Sequence, residues 1–252
     1  MCIRDSEGLV ELVAHEADAA RAAGATEVLV VGTAPLRRLP QARRLVLACE
    51  RIGVGRLRIL SESEEASLAF LGATATAPAG LPESVCVVDV GGGSTELVVG
   101  SPGSEPSWWA SRPVGSRNLT ERALLSDPPQ AGQLAAARNA VARRLARVEP
   151  PAADLALTVG GGSTSLRLLS GGTLDRSSIE RLLADLTGAD STAVGERLGL
   201  APQRVRLLPA TLLIFEAVCD LVPEPLRIAH GGVREGLLIA RARARVAERG
   251  DR

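Results

Sequence analysis

"VVDVGGGSTELVVG", residues 87–100, decides the fold. An apolar, β-branched run carries one acid, Asp89, turns through three glycines and two hydroxyls, and resumes as a second apolar run behind Glu96. Such runs around a Gly-rich turn read as strand, turn, strand. A Walker A loop needs a Lys before its hydroxyl, and this turn has none; a dinucleotide loop needs a helix after the glycines, and "TELVVG" has a strand pattern. What is left is a hairpin. In it Gly91, Gly92 and Gly93 bring the backbone close to an anion, and the N–H groups with the Ser94 and Thr95 hydroxyls hold phosphate. Asp89, at the end of the first strand, is placed to hold Mg²⁺ through water. An acid in an apolar strand is unfavourable without a partner, which argues against an incidental Asp. Glu96 is a second carboxylate available to orient water or metal.

The hexapeptide VGGGST recurs at 159–164, inside "LTVGGGSTSLRLL". This copy follows a strand (155–159) and opens a helix, so Gly160, Gly161, Gly162 and Thr164 present a helix N-terminus to phosphate. Thr158 and Ser165 replace the flanking acids, so this loop is expected to grip phosphate and not metal.

Outward from these loops the pattern is α/β. Strands are expected at 84–90, 94–100, 107–114, 155–159 and 226–229, with helices near 115–125, 130–148, within 176–222 and at 232–249. Upstream, 7–24 has helical period, with Leu9, Leu12, Val13 and Ala20 on one face and Gly24 as its stop. "EVLVVGT" (27–33) and "LRIL" (57–60) read as strands, 40–53 and 61–74 as helices. The Pro- and Gly-rich stretch 75–83 has no period and reads as a linker between 1–74 and 84–252. "MCIRDS" leads abruptly into the first helix and reads as a non-native leader on a shortened chain.

Charge is balanced, with 29 basic and 29 acidic residues, which disfavours a general nucleic-acid binder. Aromatics at 2% disfavour stacking on bases. Cys2, Cys49, Cys86 and Cys219 form no C-x-x-C pair and read as reduced thiols of a cytoplasmic protein. Two histidines exclude a His-rich zinc site, and no apolar run is long enough for a membrane span.

Five stretches, in order, resemble the exopolyphosphatase and guanosine-pentaphosphate phosphatase (Ppx/GppA) family of the actin, sugar kinase and Hsp70 superfamily. They are "VLVVGTAPLRRLPQ", "RILSESEEASLAFLGA", "VCVVDVGGGSTELVVG", "TVGGGSTSL" and "LRIAHGGVREGLL". The resemblance implies two ribonuclease-H-like domains facing a cleft, the first incomplete here, because the family's opening Asp–x–Gly–Ser–Asn–Ser/Thr motif is absent. "SES" in place of Ser–Gly, and Pro35 and Gln41 in the arginine loop, are smaller departures. The implied activity is hydrolysis of terminal phosphoanhydrides of inorganic polyphosphate or guanosine pentaphosphate with Mg²⁺. Glu65 is the implied base, Glu64 its neighbour, and Arg37 a binder of distal phosphate. The rival for the acid pair is a favourable first helical turn. Arg234 and Glu235 read as a structural ion pair. A non-catalytic phosphate-binding protein of the same fold and a sugar- or acetate-kinase-like enzyme stay open. The candidate assembly is a homodimer, with no nucleic acid or membrane partner. Loss of the opening motif implies weak polyphosphate binding and poor hydrolysis.

Overall fold

Contacts divide the chain at Glu65. A computed structural model describes residues 3–250 other than 38, 41, 55 and 56, in two units, Met1–Glu65 and Ala66–Arg252. Cys2, Arg38 and Gln41 lie outside the described residues.

The first unit runs α1 (Ile3–Ala22), β1 (Val31–Gly32), α2 (Ala34–Arg37), α3 (Ala42–Arg51), β2 (Arg58–Ile59) and the start of α4 (Glu62–Ala75). Gly24, at φ 93°, lies just past the end of α1. The two strands are parallel, with Val31 opposite Arg58 and Gly32 opposite Ile59. The expected strand 27–33 shrinks to two residues because a strand extends only as far as its ladder. Leu45, Cys49 and Leu57 form the core, with Leu9, Val10 and Val13 packed on it. Leu12 is 54% exposed, so the apolar stripe of α1 runs through Val10 and not Leu12.

The second unit carries β3 (Val85–Val90), β4 (Thr95–Gly100), β5 (Trp108–Arg112), α5 (Ser116–Ala123), α6 (Ala131–Leu145), β6 (Leu155–Val159), α7 (Gly161–Ser170), β7 (Thr173–Leu174), α8 (Arg176–Thr187), α9 (Ser191–Leu198), α10 (Pro202–Val205), α11 (Leu208–Val218), β8 (Leu226–Ile228) and α12 (Val233–Gly250). The sheet order is β5-β4-β3-β6-β8-β7. The first three strands form an antiparallel meander, and β3, β6 and β8 are parallel neighbours. β7 is an edge strand of two residues, too short to show an alternation in sequence.

Strand alternation sorts this sheet into two faces. Cys86, Val88, Val90, Leu97, Val99 and Ala156 meet the large core built with α5 to α11. Val85, Val87, Val98, Leu155, Leu157 and Val159 meet Ala66, Phe70 and Ala73 of α4. Burial of both faces explains why β3 reads as a continuous apolar run. Because α4 past Glu65 packs on this sheet, residues 75–83 lie within the second unit.

Candidate functional site

The hairpin forms as its pattern dictates, and its register pairs the two acids. Asp89 of β3 lies directly opposite Glu96 of β4. Directly opposed residues share a face, so both carboxylates project on the α4 side of the sheet. Both are buried, Asp89 at 8% and Glu96 at 1% exposure. Ser111 of β5, opposite Glu96, donates its hydroxyl to Glu96 Oε1 at 2.8 Å. Like charges facing each other in a nearly dry site are unfavourable unless other partners or a cation compensate them. Among the described residues no group of three or more His, Cys, Asp and Glu gathers. Two carboxylates nevertheless fit Mg²⁺, which keeps waters and takes substrate oxygens as its other ligands. Cys86, lower on β3, is pushed up to about 12 by burial, so it is a neutral thiol and no nucleophile.

The turn between the acids is gripped from one side. The Ser116 N–H donates to Gly91 O at 2.9 Å, the Asn118 N–H to Gly92 O at 3.0 Å, and Asn118 Nδ2 to Gly93 O at 3.2 Å. A Cβ on Gly115 would stand 2.5 Å from Gly92 C and Gly93 N, so Gly115 lets the start of α5 close on the loop. Not every expected phosphate donor is spare. The Gly91 N–H bonds Ser94 O at 3.0 Å. Thr95 is fully buried on the α5 side and donates its hydroxyl to Val114 O at 2.6 Å. Ser94 is buried at 2%.

The second loop stands beside the first, because β6 is the parallel neighbour of β3. Gly160 takes φ 103°, and a Cβ there would lie 2.7 Å from Val90 O and 2.9 Å from Asp89 Oδ1. α7 then starts at Gly161. Its hydroxyls serve the helix itself. Ser163 donates to Val159 O at 2.7 Å, and Thr164 donates to Gly160 O at 3.2 Å. Gly162 packs on Thr211 of α11.

Between the loops lies a cavity of about 260 Å³, lined by Gly91, Gly92, Gly161 and Gly162 and by Arg117 and Arg204. Among the described residues no carboxylate lines it. α5, α7 and α11 each present a first-turn residue to it, Ser116, Gly161 and Leu208, so three positive helix ends and two arginine residues border one space. Sequence reasoning missed Arg117 and Arg204. Neither belongs to a motif, and each looks like any surface Arg in an Arg-rich chain.

In the first unit the acid pair splits into two roles. Glu64 caps α4: Oε2 accepts from the Ser61 N–H at 2.8 Å, and the Glu64 N–H donates to Ser61 Oγ at 3.2 Å. The Ser61 N–H first, and the Ser61 side chain after it, hold the Glu64 carboxyl below the ordinary carboxylate range. Glu65 instead is buried, at 7% exposure, and meets Arg37, whose Nη1 donates to Glu65 Oε2 at 2.5 Å and to Leu60 O at 2.9 Å. Among the described residues, Arg37 Nη2 is buried without a hydrogen-bond partner. At the closing helix Glu235 accepts from the Gly232 N–H at 2.8 Å, so this acid caps α12.

The model of the Ppx/GppA phosphatase family matches residues 13–244. The chain is 37% identical over 160 residues to Exopolyphosphatase 2 of Mycobacterium tuberculosis, covering 60% of this chain and 48% of that protein. It is 30% identical over 230 residues to the guanosine-5'-triphosphate,3'-diphosphate pyrophosphatase of Aeromonas salmonicida, covering 85% of this chain and 45% of that one. The chain thus spans about half the length of these curated relatives. The crystal structure of the Aquifex aeolicus Ppx/GppA family member matches with a TM-score of 0.80 at 24% identity, covering 97% of this chain and 83% of that one; this likeness concerns the fold.

Proposed function

The chain belongs to the Ppx/GppA phosphatase family, and on that premise we propose that it hydrolyses terminal phosphoanhydride bonds of inorganic polyphosphate or guanosine pentaphosphate. The observation that carries this reading is the opposed pair Asp89 and Glu96 flanking a glycine turn beside a cavity without carboxylates. The acids and the cavity thus share one glycine turn, and phosphoryl transfer uses both a metal held by carboxylates and cationic or backbone contacts on the phosphate oxygens.

In this proposal Asp89 and Glu96 would hold Mg²⁺, which would neutralise charge on the phosphate oxygens. The bare backbone of the two loops, with Arg117 and Arg204, binds the phosphate chain. Glu65 accepts the proton of the attacking water. Arg37 spends Nη1 on Glu65 and offers Nη2 to a phosphate oxygen. Among the described residues no helix is long and apolar enough to cross a membrane. A cytoplasmic location and a homodimer are part of this proposal.

The test is phosphate release from polyphosphate and from guanosine pentaphosphate with Mg²⁺. Glu65→Gln keeps shape and removes the base, so release should fall at least about 100-fold while polyphosphate affinity stays within about threefold. Equal loss of affinity and rate would make Glu65 a structural partner of Arg37 and remove it as the base.

A further inference from the structure

We infer that Ser111 is a positioning residue for Glu96, fixing that carboxylate so that it and Asp89 form a ready-made cation site. The inference rests on the proposed metal role of Asp89 and Glu96 and adds a residue that no motif marks.

The argument starts from rows across the sheet. On the α4 side, one row reads Trp109, Val98, Val87, Leu157, and the next reads Ser111, Glu96, Asp89, Val159. The first row is wholly apolar. The second is polar over three adjacent strands and turns apolar again only at Val159. Ser111 is therefore the outermost member of a polar row whose inner members are the two carboxylates. Its hydroxyl has one proton, and that proton goes to Glu96 Oε1 at 2.8 Å. Arg112 Nη1 donates to Ser111 O at 2.9 Å, which steadies the strand at this point.

Glutamate has three side-chain torsions, and a second carboxylate directly opposite pushes its own away. A donor on one oxygen fixes the carboxylate plane against that repulsion. Carboxylates that bind metals are commonly held in this way, and loss of the holding group weakens metal or activity by about 10- to 100-fold. The alternative is that Ser111 only satisfies a buried acceptor. Then its removal would lower stability and leave cation affinity alone.

Mn²⁺ binding by the full chain, read from the free-ion electron paramagnetic resonance signal, separates these without requiring turnover. Ser111→Ala should weaken Mn²⁺ about tenfold, and Glu96→Gln at least as much. Ser111→Thr and Ser111→Val have nearly the same shape and differ in the hydroxyl. Thr should bind within about threefold of wild type, and Val should match Ala. The pair also serves if the Ala variant folds poorly. If Glu96→Gln weakens Mn²⁺ while Val binds like Thr, the Ser111 inference fails and the metal reading stands. If wild type binds no Mn²⁺, or Glu96→Gln leaves binding unchanged, the metal reading fails and takes Ser111 with it.

Discussion

Val90–Thr95 and Val159–Thr164 are the same six residues built in two ways. The first turns into a strand, β4, and the second into a helix, α7. The residues just after each hexapeptide set its fate: "ELVVG" continues a β-branched pattern, while "SLRLLS" has the period of a helix. The copies also differ by one residue in register. Asp89 and Thr158 hold the same place relative to the hexapeptide, yet Asp89 pairs with Val159 and Thr158 with Val88. A shift of one residue moves a side chain to the opposite face. Asp89 therefore projects on the α4 side, while Thr158 is fully buried on the other, bonded to Ser163. A repeated motif is thus not a repeated site: both copies line the cavity, and only the first carries flanking acids.

The widest gap between the copies should appear in activity. Asp89→Asn should lower phosphate release at least about 100-fold, because removal of preorganised electrostatic stabilisation costs that much. Ser165→Ala, at the place equivalent to Glu96, should stay within about threefold, since the Ser165 hydroxyl serves Gly161 O of its own helix. Grafting the acid does not transfer the function. Thr158→Asp buries a charge in an apolar core and should cost about 3 kcal/mol or more without creating an Mn²⁺ site. Thermal melting and Mn²⁺ titration check both halves. A Thr158→Asp chain that stays stable and gains a cation would overturn the register argument.

Backbone geometry gives the next contrast. Gly160→Ala forces a left-handed conformation on alanine and sets its Cβ 2.7 Å from Val90 O, so about 2 kcal/mol of stability should go, along with the placing of Asp89. Gly91→Ala, the equivalent position, meets only Ser94 O at 3.3 Å and needs no such conformation; its stability loss should be under about 1 kcal/mol. Urea unfolding of the two variants measures this. Equal losses would mean that Gly91 is as constrained as Gly160 and that the first turn's glycines do more than keep its backbone bare.

Much of this is legible in the sequence. The hairpin, the strand-to-helix switch at the second loop and both flanking acids emerge from hydrophobic period and turn residues alone. Periods are local, and so is what they reveal. The opposition of Asp89 and Glu96 depends on register, and the placing of Arg117 and Arg204 along one cavity depends on elements distant in sequence packing together; neither leaves a trace in local pattern. Glu64 and Glu65 show the same limit. Both suit a first helical turn, but only packing reveals that one caps Ser61 while the other takes Arg37. Ser111 stays hidden because a serine in an edge strand carries no signal until its cross-strand neighbour is known.

The smallest contrast concerns the last residue of the hexapeptide. Both threonines look like phosphate ligands in sequence, and both hydroxyls donate to a backbone carbonyl, Val114 O from Thr95 and Gly160 O from Thr164. Their surroundings differ. Thr95 is fully buried, so Thr95→Ala strands a carbonyl away from water and should cost about 1–2 kcal/mol. Thr164 is exposed in the first turn of α7, where water can replace the hydroxyl and alanine favours the helix, so Thr164→Ala should change stability by less than about 0.5 kcal/mol. Affinity for polyphosphate gives the second axis. The Thr164 hydroxyl is at the surface and can turn to a bound phosphate, so its loss should weaken binding by about two- to fivefold, the worth of one modest hydrogen bond. Thr95 is committed to Val114, so its loss should leave binding unchanged once the folded fraction is accounted for. The reverse pattern, with Thr95→Ala weakening binding and Thr164→Ala silent, would place the phosphate on the hairpin alone and reduce the second loop to packing.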